Sequence, residues 1–295
     1  MKYAVITINY NHCDGLRKTI DSVVAQRCRD YEFIVIDGGS TDGSREVIEQ
    51  YAASITYWVS EPDGGVYHAM NKGIRAASAE YLIFMNSGDT FFSPDVLEQA
   101  LPYMHGDIVQ GVAKNHDMSQ TPLCLVHIPN RTEPFAPSLH HQSCFFRRTL
   151  FDIEPYDEHY RIVADWAFYI RQLVLHHASY SVMPVVVAVY EGGGISDRQK
   201  TLDFEERREV IDTLCRQLKE RGDYAQYEPV MLHLMFNSKM RFLLNRSLLD
   251  VDKFLDTYPQ SGSCYRSYPF SHKQRFLFFL ASLRMRRFLK FVLNF

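Results

Sequence analysis

Tyr81-Leu82-Ile83-Phe84-Met85-Asn86-Ser87-Gly88-Asp89 decides how the chain is read. Five apolar residues run unbroken and stop at a small polar corner that ends in a carboxylate. A short apolar run closed by a glycine-containing corner predicts a fully buried strand. Asp89 then stands just past the strand's carboxyl end, the rim at which open α/β sheets bind ligands. Taken alone, an Asp there is more often a helix cap or turn former. A second stretch of the same build favours a site. Tyr31 to Ile36 reads as an apolar strand, and Asp37-Gly38-Gly39-Ser40-Thr41-Asp42-Gly43 is its polar rim. Two carboxylate-tipped strands on one sheet edge point to a site for a cation and a phosphorylated ligand.

Outward from these stretches, strands alternate with helices. Tyr3 to Ile8 predicts a first buried strand with the rim Asn9-Tyr10-Asn11-His12. Asp14 is placed to cap a helix that carries Leu16, Ile20, Val23 and Val24 at helical spacing. Ser44 to Tyr51 predicts a second helix burying Val47, Ile48 and Tyr51. Ile55 to Val59 predicts a third strand with the rim Ser60-Glu61-Pro62-Asp63-Gly64-Gly65, followed by a helix with Val66, Met70 and Ile74 on one side. Beyond Asp89, Pro94 and Asp95 open a helix with Val96, Leu97, Ala100 and Leu101 inward. Asp107 to Val112 is a further strand. Such alternation means βαβ units and a mainly parallel sheet. Right-handed crossovers put all the rims on one edge.

Ala113 to Pro137 is proline-rich and has no clear period. Ser138 to Phe146 returns to a strand pattern, Asp165 to Leu175 to a helix, and Ser181 to Val189 to a strand. Tyr190-Glu191-Gly192-Gly193-Gly194-Ile195-Ser196 then closes the sheet region with a flexible glycine loop. The expected division is an α/β domain over residues 1–198 and a helical extension over 199–295. In the extension, Phe204 to Arg221 is amphipathic, with Asp203 as cap, Val210, Ile211, Leu214 and Leu218 on its apolar side, and Gly222 as stop. Val230 to Leu249 also reads as helical. From Ser271 on there are Lys273, Arg275, Arg284, Arg286, Arg287 and Lys290 and no acidic residue, while Leu277, Phe278, Ala281, Met285, Phe288, Leu289 and Val292 share one helical side. That is a basic amphipathic helix, a membrane-surface pattern. The bland alternative is a helix packed on the domain.

Composition narrows the class. The 295 residues are 46% hydrophobic, enough for a substantial core, and the formal net charge of −3 gives no sign of a nucleic-acid partner. Six scattered cysteines without a CxxC pair fit neither a disulfide framework nor a zinc site, and suit a reducing compartment. The N-terminus does not read as a signal peptide. No apolar run reaches the ~18 residues of a spanning helix. A cytoplasmic chain, peripheral at the inner face of the plasma membrane, is expected.

No Walker A motif is present, and neither Gly64-Gly65 nor Gly192-Gly193-Gly194 fits the dinucleotide fingerprint. A phosphate ligand is then better held through a hard divalent cation, Mg²⁺ or Mn²⁺, which takes one or two carboxylates and completes its shell with phosphate and water. Asp89 suits that role. At this point five segments align with a known family: Ala4 to Asn11, Ile36 to Gly43, Glu61-Pro62-Asp63-Gly64-Gly65-Val66-Tyr67, Ala69-Met70-Asn71-Lys72-Gly73-Ile74 and Asn86-Ser87-Gly88-Asp89. Over residues 1 to 196 the chain resembles the family 2 glycosyltransferases, most closely the bacterial enzymes that build exopolysaccharide or O-antigen units.

The resemblance implies a GT-A fold, Rossmann-like, with a mainly parallel mixed sheet flanked by helices and a C-terminal helical extension outside the family match. It implies an inverting transfer from a UDP- or GDP-linked sugar to a saccharide or polyprenyl-linked acceptor. By position, Asp37 and Asp63 serve the nucleotide, with Thr7 and Tyr10 at the first rim and Asn71, Lys72 and Ser87 on the donor side. Asp89 takes the metal position, where Asn86 or Ser87 stands in place of the family's first aspartate. Asp165, opening a helix within Ile162 to Phe168, takes the position of the catalytic base, ahead of Asp157 and Glu158. It would equally stabilise a helix start, a capping role worth ~1 kcal/mol. His141 and Gln142 fall on the acceptor side, His140 fits a backbone-bonded loop histidine equally well, and Trp166 adjoins the base. Trp58 and Tyr67 are further aromatics able to stack on a sugar or base, Trp58 the one read as core. A nucleotidyltransferase and a non-catalytic nucleotide-sugar-binding or scaffold subunit are the competing readings. Homo-oligomerisation stays open.

Overall fold

A computed structural model describes residues 1–118 and 140–228 together with 230, 231 and 234. The chain divides into two compact units, with the break between Asp197 and Arg198. The first contains β1 (Tyr3–Asn9), α1 (Cys13–Val24), β2 (Tyr31–Asp37), α2 (Ser44–Gln50), β3 (Tyr57–Ser60), α3 (Val66–Ala76), β4 (Tyr81–Phe84), β5 (Thr90–Phe91), α4 (Val96–Ala100), β6 (Ile108–Asn115), β7 (Cys144–Arg147), α5 (Leu150–Ile153), α6 (Ala164–Val174) and β8 (Tyr180–Tyr190). A short α7 (Ile195–Arg198) spans the break.

The strands form one eight-stranded sheet in the order β3-β2-β1-β4-β7-β6-β8-β5. β3, β2, β1 and β4 are parallel. β7 runs against both β4 and β6, β8 is parallel to β6, and β5 closes the edge antiparallel to β8. Every residue of β1 and β4 is buried, as continuous apolar runs covered on both faces should be. Alternate side chains feed two cores. Tyr3, Val5, Phe33, Val35, Tyr81 and Ile83 pack with Leu16, Ile20 and Val23 of α1 and Leu97 of α4. On the other face α3 lies close over β1: a Cβ added at Gly73 would come within 2.4 Å of Ile6 Cγ2. Further along that face is an aromatic cluster. Phe151 and Phe168 stack at 4.4 Å, and Tyr156 meets Phe84, Phe151 and Phe168 edge-on or tilted at 5.3–5.5 Å. Such pairs add about 0.5–1.5 kcal/mol each beyond their buried area, and they seat the start of α6.

Local expectations shift in several places, and Tyr51 lies past the end of α2, only half-buried. α1 is not capped by Asp14, which lies inside its first turn. The Cys13 N–H goes instead to Asp42 Oδ2 at 2.8 Å, and Asp42 also accepts from the Ser44 N–H and hydroxyl at 3.1 and 2.6 Å. One carboxylate thus serves two helix starts, because in-register pairing of β1 with β2 sets their rims side by side. α3 buries Tyr67, Ala69, Met70, Asn71 and Gly73 rather than the side marked by Val66 and Ile74. Leu101 lies beyond α4 and is exposed. The strand expected over Ser138 to Phe146 begins only at Cys144, and His141–Ser143 is a 3₁₀ turn.

The second unit is described through α8 (Lys200–Arg221), with Val210, Ile211, Leu214, Cys215 and Leu218 buried. Asp203 lies in its first turn rather than at the cap. Gly222 ends it in the left-handed conformation at φ 79°. Most of the helix expected over Val230 to Leu249, and all of the basic tail from Ser271, lie outside the described residues. Among the described residues no helix is long and apolar enough to cross a membrane.

Candidate active site

The rims of β1, β2 and β3 are built around Asp37, which is fully buried. Its carboxylate accepts from Asn9 Nδ2 (2.7 Å), the Ser40 N–H and hydroxyl (3.0 and 2.6 Å) and the Ser60 hydroxyl (2.6 Å). Burial alone would push its pKa up, but these donors outweigh it and hold the carboxyl below the usual range. Asp37 therefore locks three strand ends together rather than facing outward. Beside it Tyr10 and Asp63 close on Gly38. A Cβ added at Gly38 would lie 2.9 Å from Asp63 Oδ2 and 3.2 Å from Tyr10 Cδ2, so only glycine lets both side chains approach this turn. Tyr10 is 69% exposed. Asp63 Oδ1 accepts the Gly65 N–H at 2.8 Å, which fixes Asp63 at the entry to α3.

The corner after β4 is stitched to α1. The Gly88 N–H donates to the Thr19 hydroxyl oxygen at 3.0 Å, and that hydroxyl reaches the Asp89 carbonyl at 2.7 Å. Gly88 has φ 100°, and a Cβ there would strike the Glu191 carboxylate. Asp89 is 4% exposed. Its Oδ2 accepts from Gln142 Nε2 at 3.0 Å and its Oδ1 from the Glu191 N–H at 3.0 Å. These bonds only partly offset desolvation, and its pKa is pushed up to about 6. Desolvation that its hydrogen bonds do not fully offset is what a cation beside Asp89 would relieve. Among the described residues no group of three His, Cys, Asp or Glu side chains is arranged to hold a metal. The donor set fits a hard cation that brings phosphate and water as its other ligands.

His141, next to Gln142, turns to the other side. Its Nδ1 faces Asp165 Oδ2 at 2.8 Å, and its Nε2 accepts from Asn86 Nδ2 at 3.1 Å. Asp165 Oδ1 accepts the Trp166 N–H at 2.8 Å and faces the Tyr67 hydroxyl at 2.9 Å. Tyr67 also bonds the Ile162 carbonyl. Burial pushes Asp165 up, but the bond and charge of His141 prevail and lower its pKa; burial pushes His141 down, but Asp165 prevails and raises it. Consecutive residues 141 and 142 thus bind Asp165 and Asp89, and one wall joins the two carboxylates.

Other residues marked in the sequence are placed as follows. Thr7 is fully buried and donates to the Met85 carbonyl at 2.8 Å, tying β1 to the end of β4. Asn71 is buried and clamps Tyr156 through both its amide atoms, with Nδ2 also on Glu158 Oε1 at 2.8 Å. Lys72 pairs with Glu61 at 2.8 Å. Ser87 donates to the Ile8 carbonyl at 3.1 Å. Trp166 is 4% exposed, and what reaches Asp165 is its backbone N–H. Tyr67 is buried at 6% exposure and supports Asp165 rather than offering a stacking face. Trp58 is partly buried against the core. Sequence reasoning missed Asn86 as a partner of His141, and Glu191 over Asp89. The only signal for Glu191 was its place between a strand and three glycines.

Comparison with known proteins agrees with this architecture. The family model "Glycosyl transferase family 2" matches residues 4–167. An uncharacterised glycosyltransferase of Mycobacterium tuberculosis is 39% identical over 180 residues, covering 57% of this chain and 67% of that protein. A PGL/p-HBAD biosynthesis glycosyltransferase of Mycobacterium bovis is 29% identical over 219 residues, covering 70% and 83%. Among solved structures, residues 1–349 of S. aureus TarS in complex with UDP-GlcNAc superpose with a TM-score of 0.65 at 17% identity, covering 88% of this chain and 76% of that one. The chain spans 44% of a longer TarS structure. The mannosyltransferase PcManGT of Pyrobaculum calidifontis, in complex with GDP-Man and Mn²⁺, gives 0.57 at 16% identity, covering 95% and 86%. At such identities these structures speak for the fold, which is the GT-A fold expected from the sequence.

Proposed function

Because the chain belongs to glycosyl transferase family 2, we propose that it moves a glycosyl group from a UDP- or GDP-linked sugar to a hydroxyl of a saccharide or polyprenyl-linked acceptor, with inversion, in cell-surface polysaccharide synthesis. The observation that carries this reading is the shared wall: His141 bonds Asp165 while Gln142 bonds Asp89. Inversion by one displacement needs a proton acceptor on one side of the anomeric carbon and charge stabilisation for the departing diphosphate on the other. Two carboxylates joined through consecutive residues, Asp165 with its pKa lowered to accept a proton and Asp89 buried where a cation would neutralise it, support that division of roles.

In this reading the nucleobase binds against the exposed ring of Tyr10, with Asp63 accepting its N–H. Asp37 orders the rims around it through Asn9, Ser40 and Ser60, and Thr7 does so through β4. Lys72 and Ser87 face the donor, and Asn71 orders the Tyr156 segment beneath the site. Asp89 would hold a Mg²⁺ or Mn²⁺ ion, which supplies Lewis-acid stabilisation to the leaving diphosphate. The acceptor's proton goes to Asp165, with His141 and Gln142 on the acceptor side. PcManGT in complex with GDP-Man and Mn²⁺, and TarS in complex with UDP-GlcNAc, support the class of donor. The basic pattern of residues 271–295 supports peripheral contact with the inner membrane face, where a polyprenyl-linked acceptor lies.

A thermal-shift panel of UDP, GDP, CDP and dTDP with Mn²⁺ tests the donor site, since a ligand of the native state raises the melting temperature by mass action. Positive nucleotides are followed by assays of nucleoside diphosphate release from UDP-N-acetylglucosamine and GDP-mannose. No shift with any of the four, and no release, would defeat the reading. Loss of residues 271–295 should lower partition onto anionic vesicles, and unchanged partition would remove the membrane part of it.

A further inference from the structure

Asp165 is held from three sides, and the side facing α3 differs from the other two. The His141 ring meets Oδ2 at 2.8 Å, and the Trp166 N–H meets Oδ1 at 2.8 Å. The third partner is the Tyr67 hydroxyl, 2.9 Å from Oδ1 and bonded as well to the Ile162 carbonyl. A phenol carries one hydrogen. Two acceptors therefore face a single donor, and the protonation state of Asp165 decides between them. A carboxylate outcompetes an amide carbonyl, because hydrogen bonds to an ionised group are roughly twice as strong as neutral ones. A protonated carboxyl is the weaker acceptor of the two. Tyr67 itself keeps its hydrogen, since burial and then the charge of Asp165 push its pKa well above the ordinary value. The phenol also reaches Asp165 from a fixed platform. Tyr67 is the second residue of α3, two positions after Gly65, whose N–H is held by Asp63 Oδ1 at 2.8 Å. One turn on, Asn71 binds the N–H and the carbonyl of Tyr156 at 3.0 and 2.8 Å. Tyr67 and Asn71 share one face of α3 and grip the segment from Tyr156 to Asp165 at its two ends.

We propose that Tyr67 is the positioning residue of the proton acceptor: its hydroxyl hydrogen holds Oδ1 of the ionised Asp165, and turns to the Ile162 carbonyl once Asp165 has taken the acceptor's proton. The inference rests on the glycosyl-transfer reading above and adds the residue that orients the proton acceptor and sets its strength. The hydrogen never leaves Tyr67. Only its direction changes, by rotation about the bond between ring and oxygen. No heavy atom moves, because both accepting oxygens already lie within reach of the phenol. The reverse turn restores the starting arrangement when Asp165 loses its proton. The titratable groups facing Asp165 are His141 from the turn before β7, Cys144 from β7, Tyr156 from the segment under α6 and Tyr67 from α3, and Asp89 acts on the same unit through His141. Burial pushes Asp165 up, while His141, the Trp166 N–H and Tyr67 together hold it below its ordinary value. Deleting the phenol hydroxyl therefore moves Asp165 in one direction, upward.

The test uses the full chain at saturating Mn²⁺, with UDP-N-acetylglucosamine and GDP-mannose as probes and water as nucleophile, and reads kcat against pH. A general base must be ionised, so kcat falls on the acid side with the pKa of Asp165. Tyr67→Phe keeps the ring against Tyr156, 5.7 Å away, and removes only the hydroxyl. It should move the acid limb to higher pH by about one unit, the effect of one hydrogen bond to a charged group. KM for the donor and the nucleotide-induced thermal shift should stay at their wild-type values. Replacing Tyr67 by 3-fluorotyrosine keeps the phenol and makes it a stronger donor, so the limb should move to lower pH. That variant reads the same bond if Tyr67→Phe does not fold. An acid limb that stays in place in the folded variants overturns the inference, whatever the plateau rate, and leaves the glycosyl-transfer reading standing. A wild-type chain that releases neither UDP nor GDP overturns both.

Discussion

Gln142 donates its side-chain amide to Asp89 Oδ2 at 3.0 Å across 53 positions of chain. The bond places a neutral donor on a carboxylate that burial has pushed up to about 6. Gln142→Leu keeps the shape and removes the donor, leaving one oxygen of a buried charge without a partner. The variant should lose about 1–3 kcal/mol of stability at pH 8 and much less at pH 4.5, where Asp89 is protonated in the wild type too. Thermal melts at the two pH values check this.

Asp89 itself carries a pH signature. Its folded pKa lies above the ordinary value of 3.8, so ionising it opposes folding. The protonated group's contribution is complete below pH 3.8 and is lost as pH rises through about 6. Without divalent cation, Asp89→Asn should therefore melt above wild type at pH 8, by up to about 3 kcal/mol for a shift of some two pH units. The gap should close near pH 4. Mn²⁺ should raise the melting temperature of the wild type at pH 8 and leave Asp89→Asn unmoved.

Asp37 and Asp63 should separate cleanly under mutation. Asp37→Ala leaves Asn9, Ser40 and Ser60 without their acceptor inside the protein, and about 2–4 kcal/mol of stability should go with it. The lowered pKa of Asp37 has the opposite sign to that of Asp89: its contribution is present above the ordinary carboxylate range and is lost as acid protonates it. Asp63→Ala removes an exposed-side acceptor and one Gly65 bond, so stability should change by less than about 1 kcal/mol while nucleotide binding weakens. Paired urea melts and nucleotide titrations distinguish the two.

Gly38→Ala should act on binding rather than folding. Its Cβ would lie 2.9 Å from Asp63 Oδ2 and 3.2 Å from Tyr10 Cδ2. Nucleotide affinity should fall tenfold or more, about 1.4 kcal/mol, with little change in melting temperature. Calorimetric titration of UDP and GDP measures it.

Much of the fold was legible because its signals are short-range. An apolar run ending in a Gly/Asp corner announces a buried strand and its rim, and β1, β2 and β4 begin at the residues expected. The misreadings share one cause. Asp14 had every local mark of a cap, yet Asp42 holds the first N–H of α1, because strand pairing brings the second rim to the first helix. Tyr67 and Trp166 looked like free aromatic faces, yet both lie buried beside Asp165, because the aromatic cluster under α6 draws that segment onto the sheet.

The βαβ order, the placing of Asp37, Asp63 and Asp89 past strand ends, Asp165 at the start of a helix, and the family were all legible in the residues alone. Only the folded chain shows which of these carboxylates is saturated with donors and which is buried with few. Asp37 is surrounded by donors from two other strands, Asp89 is buried with too few, and Asp165 is turned towards His141. Those partners stand 23 to 102 positions away. A carboxylate's chemistry follows from its burial and its donors, and sheet order, which no local pattern encodes, brings those donors within reach.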